Sequence, residues 1–129
     1  MFRLQHLDHV AITVRDLKQS EDWYRETLGL ERRNPEWNPP VMMCAGPSCV
    51  ALFPAESNSP SGPPGADTIA MRHFAFAVDR QGFEGIQEDF RGKGVDFTFS
   101  DHGAVHSIYI NDPDGHTIEI TTHEIESTS

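Results

Sequence analysis

The sequence contains two copies of one pattern of secondary structure, and this duplication limits the fold more than any other feature. The first copy opens with DHVAITV, in which Val10, Ile12 and Val14 alternate with His, Ala and Thr. Such alternation is typical of a strand with one buried face. The second copy opens with RHFAFAV at 72–78, where phenylalanine and valine take the alternating positions. The duplication predicts two related modules of similar architecture.

Each opening strand is followed by an amphipathic segment with helical spacing and then by three short strand candidates. The helices are predicted within 17–30, closing on Gly29, and within 83–94, closing on Gly92 and Gly94. The other strands are predicted at Glu31–Trp37, Val41–Ala45, Cys49–Phe53, Val95–Ser100, Val105–Asn111 and Thr117–His123. The predicted class is α+β, with two βαβββ modules whose helices cover one face of a mixed β-sheet and leave the other, concave face open.

A stretch rich in Pro, Gly and Ser separates the two copies. We place module one at about 4–56, a linker at about 57–67, module two at about 68–123 and a polar tail at 124–129. A chain of 129 residues has the ordinary size of one domain, so we expect both modules to form a single domain over 1–129.

Charge and composition exclude some partners. The net charge of −10, without a local cluster of Lys and Arg, repels phosphate backbones and anionic lipid. We therefore expect neither nucleic acid nor membrane as a partner. No apolar run has the length of a membrane span, and no signal-peptide core follows Met1. Cys44 and Cys49 are interpreted as reduced residues in neighbouring strands, which fits a cytoplasmic location.

The strand faces that point away from the predicted helices carry small and polar residues with one imidazole or carboxylate each. These are His9, His73 and Glu119, lying among Ala and Thr. Two imidazoles and a carboxylate that meet at one point bind a divalent first-row metal and leave positions open for substrate. We therefore predict a metal site at these three residues. Two alternatives are a solvated Glu119 on an ordinary amphipathic strand and a polar cavity that binds an organic molecule without metal.

The segments DHVAITVRDL, WYRETLGL, RHFAFAV and SIYINDPDGHTIEI together resemble the vicinal oxygen chelate superfamily, the glyoxalase, bleomycin-resistance and extradiol-dioxygenase group. The resemblance covers about 4–123. It implies a cupped sheet around a metal held by His9, His73 and Glu119. The implied ion is Fe(II) or Mn(II), with Zn(II) or Ni(II) as alternatives. It also implies a homodimer, in which His9 of one subunit and the other two ligands of its partner can share a site.

One position departs from the glyoxalase I-like members, which carry a fourth protein ligand on the last strand of module one. Superposing CVALF on TIEIT puts Ala51 at the position of Glu119, and alanine cannot coordinate a metal. The three-ligand pattern that remains resembles extradiol dioxygenases, which use Fe(II) or Mn(II), and Mn(II)-dependent fosfomycin-modifying thiol transferases and hydrolases. It argues against lactoylglutathione lyase activity.

Two side chains are candidate catalytic residues. Strand parity puts Tyr109 on the face of Glu119, where the resemblance implies contact with the substrate, although its ring could equally serve for packing. An imidazole at His106 has a suitable pKa for proton transfer, although parity puts it beside Ile108 on the core side unless the strand bulges. The weaker candidates His6 and His102 are interpreted as surface histidines. Trp37, Met42, Met43 and Phe53 are expected in the core or at the mouth of a cavity.

These features predict a metal-dependent enzyme that acts on a small oxygenated organic molecule whose vicinal oxygens bind the ion. Extradiol-dioxygenase-like chemistry is the first hypothesis. The alternatives are a Mn(II)-dependent thiol transferase or epoxide hydrolase of the fosfomycin-resistance type, a lyase or isomerase, and a non-enzymatic drug-sequestering protein of the bleomycin-binding type. Few Lys and Arg residues in module two disfavour a phosphonate substrate.

Overall fold

The computed structural model describes residues 1–125 and divides into two compact units, which meet in the chain at Gly62 and Pro63. This division falls inside the predicted linker. Each unit has the order strand, helix and three strands, so the predicted α+β class with two βαβββ modules is confirmed. Residues 126–129, the end of the predicted polar tail, lie outside the described residues.

The first unit consists of a four-stranded mixed sheet and one helix. Its elements are β1 (His9–Val14), α1 (Leu17–Leu28), β2 (Glu31–Arg33), β3 (Val41–Ala45) and β4 (Ser48–Pro54). The strand order is β1-β4-β3-β2, with β1 parallel to β4 and the other pairs antiparallel. The buried side chains on one face of this sheet include Ile12, Val14, Met43 and Leu52. Helix α1 packs against β3 and β4.

The second unit repeats this topology. Its elements are β5 (Phe74–Ala77), α2 (Arg80–Lys93), β6 (Thr98–Asp101), β7 (His106–Asn111) and β8 (Thr117–Thr122). The strand order is β5-β8-β7-β6, with β5 parallel to β8. Phe83 of α2 lies with its ring 6.4 Å from Phe99 of β6, and Ile108 and Ile120 are buried on the same face of the sheet. The opposite face, which carries Glu119, is called here the Glu119 face.

Both helices end beside a glycine that was predicted to terminate them, and α2 begins at Arg80, three residues before the predicted start at 83. The Asp16 and Asp79 carboxylates accept backbone N–H bonds at the first turns of α1 and α2 and so cap them. Gly29 and Gly94 terminate the helices with φ of 70° and 73°, a backbone conformation that glycine adopts without steric cost. Neither helix, nor any other in residues 1–125, is long and apolar enough to span a bilayer.

Three predicted strands are shorter than expected, and one of them is β5, which covers Phe74–Ala77 rather than 72–78. β2 ends at Arg33 rather than Trp37, because Asn34 takes a positive φ of 53° and is followed by Pro35. β6 begins at Thr98 rather than Val95, because the Val95 backbone N–H donates to the Phe90 carbonyl at 2.9 Å and closes the end of α2.

The cysteines are not reduced, and that prediction was wrong. Cys44 and Cys49 face each other on the neighbouring strands β3 and β4, with Cα atoms 4.1 Å apart, and form a disulfide. The expected neighbouring-strand placement was correct, but spacing along the chain does not reveal that the two side chains point to the same side. The cytoplasmic prediction loses the support that it took from reduced thiols.

Candidate metal centre

The second unit brings His73 and Glu119 together, although 46 residues separate them in sequence. His73 comes directly before β5, and the parallel pairing of β5 with β8 puts Ala75 opposite Glu119. The His73 Nε2 and Glu119 Oε1 atoms are 2.8 Å apart, with the side chains 35% and 13% exposed. An imidazole nitrogen and a carboxylate oxygen, both of which can bind a metal, thus meet at a partly buried point. This arrangement suits a first-row divalent metal.

The second carboxylate oxygen of Glu119 is held by a buried hydroxyl. Ser107 Oγ donates to Glu119 Oε2 at 2.6 Å and lies 3.0 Å from Thr121 Oγ1. Ser107 is fully buried on β7. Because Ser107 binds Oε2 of Glu119, Oε1 is directed towards His73. Hydrogen bonds from residues that do not themselves bind the ion orient metal-binding carboxylates in this way.

Tyr109 lies on the Glu119 face, directly across the β7–β8 pair from Glu119. Its ring meets the His73 ring edge to face, with centroids 5.6 Å apart. Burial and, to a lesser degree, the neighbouring Glu119 carboxylate raise the pKa of the Tyr109 phenol above its ordinary value. The phenol therefore stays protonated at neutral pH and is available as a hydrogen-bond donor.

The Tyr109 hydroxyl also has an imidazole beside it. His102 Nε2, from the loop between β6 and β7, is 3.0 Å from the Tyr109 oxygen. His102 was predicted to be a surface histidine and a weaker candidate than His106; it belongs to no strand, so parity cannot assign it to a face. Ser107 was also missed, although its spacing of two from Tyr109 puts both on one side of β7.

His106, the other predicted catalytic residue, lies on the helix side of the sheet. Its Nδ1 is 2.9 Å from Arg80 Nη1 of α2, and its Nε2 is 3.5 Å from an Asp101 carboxylate oxygen. It pairs with Thr122 across the sheet, on the face opposite Glu119. The strand does not bulge at its entrance, so parity holds and His106 is not brought to the Glu119 face.

His9, the third predicted ligand, opens β1 in the first unit. Its Nδ1 is 2.9 Å from an Asp8 carboxylate oxygen, and its side chain is 46% exposed. A carboxylate on Nδ1 favours the tautomer whose Nε2 lone pair is free, as in many metal-binding histidines. Asp8 was not singled out by sequence analysis, although a carboxylate next to a candidate ligand is a usable signal.

The register of the two sheets supports the superposition of Ala51 on Glu119. Ala11 of β1 is opposite Ala51 of β4, as Ala75 of β5 is opposite Glu119 of β8. Ala51 is buried and offers no donor atom. Within residues 1–125, no three His, Cys, Asp or Glu side chains are grouped closely enough to hold a metal ion.

The face of the first sheet that carries His9, called here the His9 face, contains a cavity of about 300 Å³. Trp37, Met42 and Phe53 line it, so these three residues are at a cavity wall. Met43, by contrast, is fully buried in the core on the other face.

The class of protein is defined by two βαβββ units of the same topology, with His9 on the first and His73, Tyr109 and Glu119 on the second. Residues 6–120 match the model of the Glyoxalase/Bleomycin resistance protein/Dioxygenase superfamily. The chain belongs to this superfamily, as its sequence motifs predicted.

Relatives agree with this assignment. The chain is 31% identical over 117 residues to glutathione transferase FosA of Serratia marcescens, covering 91% of this chain and 80% of the relative. Among solved structures, lactoylglutathione lyase from Agrobacterium tumefaciens is 23% identical, with a TM-score of 0.72 over 92% of this chain and 94% of that chain. A glyoxalase/dioxygenase from Nostoc punctiforme is 21% identical, with a TM-score of 0.76 over 92% and 90%. These two structures show a shared fold.

Proposed function

We propose that the protein is a divalent-metal-dependent enzyme acting on a small oxygenated organic molecule. The observation that carries the proposal is the 2.8 Å approach of His73 Nε2 to Glu119 Oε1 on the Glu119 face. An imidazole and a carboxylate in contact also form an ordinary hydrogen bond in many proteins. Ser107 behind the carboxylate, Tyr109 beside it and membership in a metal-binding superfamily make the metal interpretation the better one.

The donor set fits Mn(II) or Fe(II). His73, Glu119 and His9 would provide two imidazole nitrogens and one carboxylate, which suit these ions and also Zn(II) or Ni(II). A three-ligand site keeps coordination positions open for two substrate oxygens. An ion bound there would supply Lewis-acid polarisation of the substrate.

The protein side chains would do the rest of the chemistry. Tyr109, neutral at working pH, would donate a hydrogen bond to a substrate oxygen on which negative charge develops. His102 would exchange a proton with the phenol oxygen 3.0 Å away. Ser107 would keep the Glu119 carboxylate in one orientation throughout.

For the reaction itself we favour addition of a thiol to a small electrophile, such as an epoxide. The similarity to glutathione transferase FosA over 91% of the chain supports this choice. We do not extend this similarity to a phosphonate substrate, which would need cations near the proposed metal site. Arg80 of the second unit instead contacts Glu84, Glu124 and His106 on the helix side of the sheet, and Arg91 and Lys93 lie at the end of α2.

Extradiol-dioxygenase-like ring cleavage is the second candidate, and the Tyr109–His102 contact favours it. Removal of a proton from a catechol needs a base near the metal, and an imidazole linked to a phenol is suitable. With Fe(II), the same three ligands would serve this chemistry.

The test begins with metal binding by the full chain, purified without a polyhistidine tag and stripped with EDTA. Titration calorimetry with Mn(II) and Fe(II) should give a stoichiometry of one bound ion per chain. Glu119→Gln and His73→Asn should each weaken binding by more than the roughly 10–100-fold caused by loss of an outer hydrogen-bond partner. Glutathione consumption with simple epoxides and oxygen uptake with catechols then separate the two reactions.

Glu88→Gln on α2 and His123→Asn after β8 are matched controls, because both remove the same groups at exposed positions that, within residues 1–125, form no hydrogen bond or ion pair with His73 or Glu119. Both controls should bind metal like the parent. A parent protein that takes up neither ion would overturn the enzyme proposal and favour a metal-free binding protein.

A further inference from the structure

The cavity on the His9 face has a floor built by strand register. His9 of β1 lies opposite Cys49 of β4, and Ala51 of β4 lies opposite Met42 of β3. Because the Ala51 side chain is small, it leaves space above the sheet between these strands, and the cavity there has a volume of about 300 Å³. This is the lower end of the range for cavities that hold small molecules. The cavity therefore combines a small-molecule volume with the imidazole of a proposed metal ligand.

Two aromatic side chains form walls of the cavity. Trp37 and Phe53 line it and remain 46% and 40% exposed. The loop carrying Trp37 is held at both backbone atoms: its N–H donates to the Asn34 carbonyl at 2.9 Å, and its carbonyl accepts from Arg32 Nη2 at 2.9 Å. Large apolar surfaces held open to solvent beside a concave floor favour an apolar or aromatic ligand.

Arg33 adds a single cation to the cavity. Arg33 lies on the edge strand β2, and its guanidinium extends across β3 to within 3.5 Å of Cys49 Sγ. Its Nη2 also donates a 2.8 Å hydrogen bond to the Gly46 carbonyl. These two contacts leave three of the five guanidinium N–H groups for other acceptors. No carboxylate within residues 1–125 pairs with Arg33. The Asp8 carboxylate, also at the cavity, is bonded to the His9 ring and 77% exposed.

We propose that this cavity binds a small aromatic carboxylate, with the carboxylate paired to Arg33 and the ring between Trp37 and Phe53. A guanidinium with free N–H groups can take a carboxylate through two parallel bonds. Apolar walls with one cation suit a monoanion better than phosphate, whose greater charge needs more donors to offset its loss of water. Binding of the acid does not depend on the proposed function. Its role as a substrate does rest on the proposed function, because that role requires a metal ion on His9.

The test measures binding of three probes to the metal-stripped full chain: benzoate, its neutral analogue benzamide, and inorganic phosphate. In a Trp23→Phe background, the fluorescence of Trp37 reports on the cavity alone, because these are the two tryptophans of the chain. Benzoate should quench this fluorescence and bind at least about tenfold more tightly than benzamide or phosphate. Arg33→Gln should abolish the preference for benzoate over benzamide.

Arg3→Gln is the matched control, since it removes the same charge at an exposed position that does not line the cavity. It should leave the preference unchanged, and thermal unfolding checks that Arg33→Gln remains folded. Equal affinity for benzoate and benzamide, or phosphate binding as tight as benzoate binding, would overturn the inference. If benzoate binds through Arg33 but no metal binds, the proposed function fails and the cavity inference stands. If metal binds without any preference for benzoate, the reverse holds.

Discussion

At the scale of single residues, Glu119 is stabilised by partners from elements distant in sequence. A carboxylate that is 13% exposed costs free energy unless its oxygens are satisfied, and Ser107 and His73 take one oxygen each. This division of roles makes Ser107 a positioning residue, since it acts on the candidate ligand and not on the ion.

Ser107→Ala should therefore weaken Mn(II) binding by about 10–100-fold while leaving the ligands in place. Its cost to the free energy of unfolding should be about 1 kcal/mol, the value of one hydrogen bond. Titration calorimetry and thermal unfolding measure the two effects separately.

Ser100→Ala provides the control, because Ser100 lies opposite Ser107 on β6 and, within residues 1–125, forms no hydrogen bond with Glu119. It should change Mn(II) affinity by less than about twofold. Unchanged Mn(II) affinity in Ser107→Ala would mean that this hydroxyl does not orient the carboxylate for an ion.

At the scale of the elements, the β3–β4 hairpin of the first unit is covalently closed. The Cys44–Cys49 disulfide joins two buried side chains on neighbouring strands under the cavity. Since the enclosed loop is short, the entropy removed from the unfolded chain is at the small end for disulfides.

Cys44→Ala/Cys49→Ala should lower the free energy of unfolding by about 2 kcal/mol, mainly because the unfolded chain regains conformational freedom. Urea denaturation of the variant and of the oxidised parent measures this difference. The parent treated with a reductant should unfold at lower urea concentration, towards that of the variant. Alkylation of both thiols in untreated protein, seen by mass spectrometry, would contradict the disulfide itself.

At the scale of the whole molecule, we propose a homodimer. Phe2, Leu4 and Leu7, which precede β1, and Ile69 and Met71, which precede β5, are large apolar side chains left exposed. Large apolar side chains left exposed in each unit are typical of surfaces that a partner covers. A dimer would also allow His9 of one subunit to join His73 and Glu119 of its partner.

Mixing two variants that each lack one proposed metal ligand tests the shared site. His9→Ala and Glu119→Ala proteins, unfolded together and refolded at equal concentration, should regain about a quarter of the metal sites, because half of the dimers are mixed and each has one intact site. Light scattering measures the mass, and calorimetry counts the sites. A dimeric mixture that regains no metal binding would mean that each chain builds its own site.

Much of this protein follows from its sequence. Alternation in DHVAITV and RHFAFAV predicted which side chains share a face, and Ala51 was correctly matched with the position of Glu119. Period-two patterns are local, because each strand residue points to the side opposite its neighbours. For the same reason parity correctly put His106 with Ile108.

The contacts across strands were decided only by the tertiary structure. Periodicity gives the face of a side chain but not its partner, which depends on register, loop path and rotamer. The Ser107 bond to Glu119, the His102 contact with Tyr109 and the reach of Arg33 to Cys49 join residues 12, 7 and 16 apart. Contacts between residues separated in sequence depend on how the whole unit packs. Local sequence patterns therefore predict the face on which each side chain lies, whereas the tertiary structure determines which side chains meet at the site.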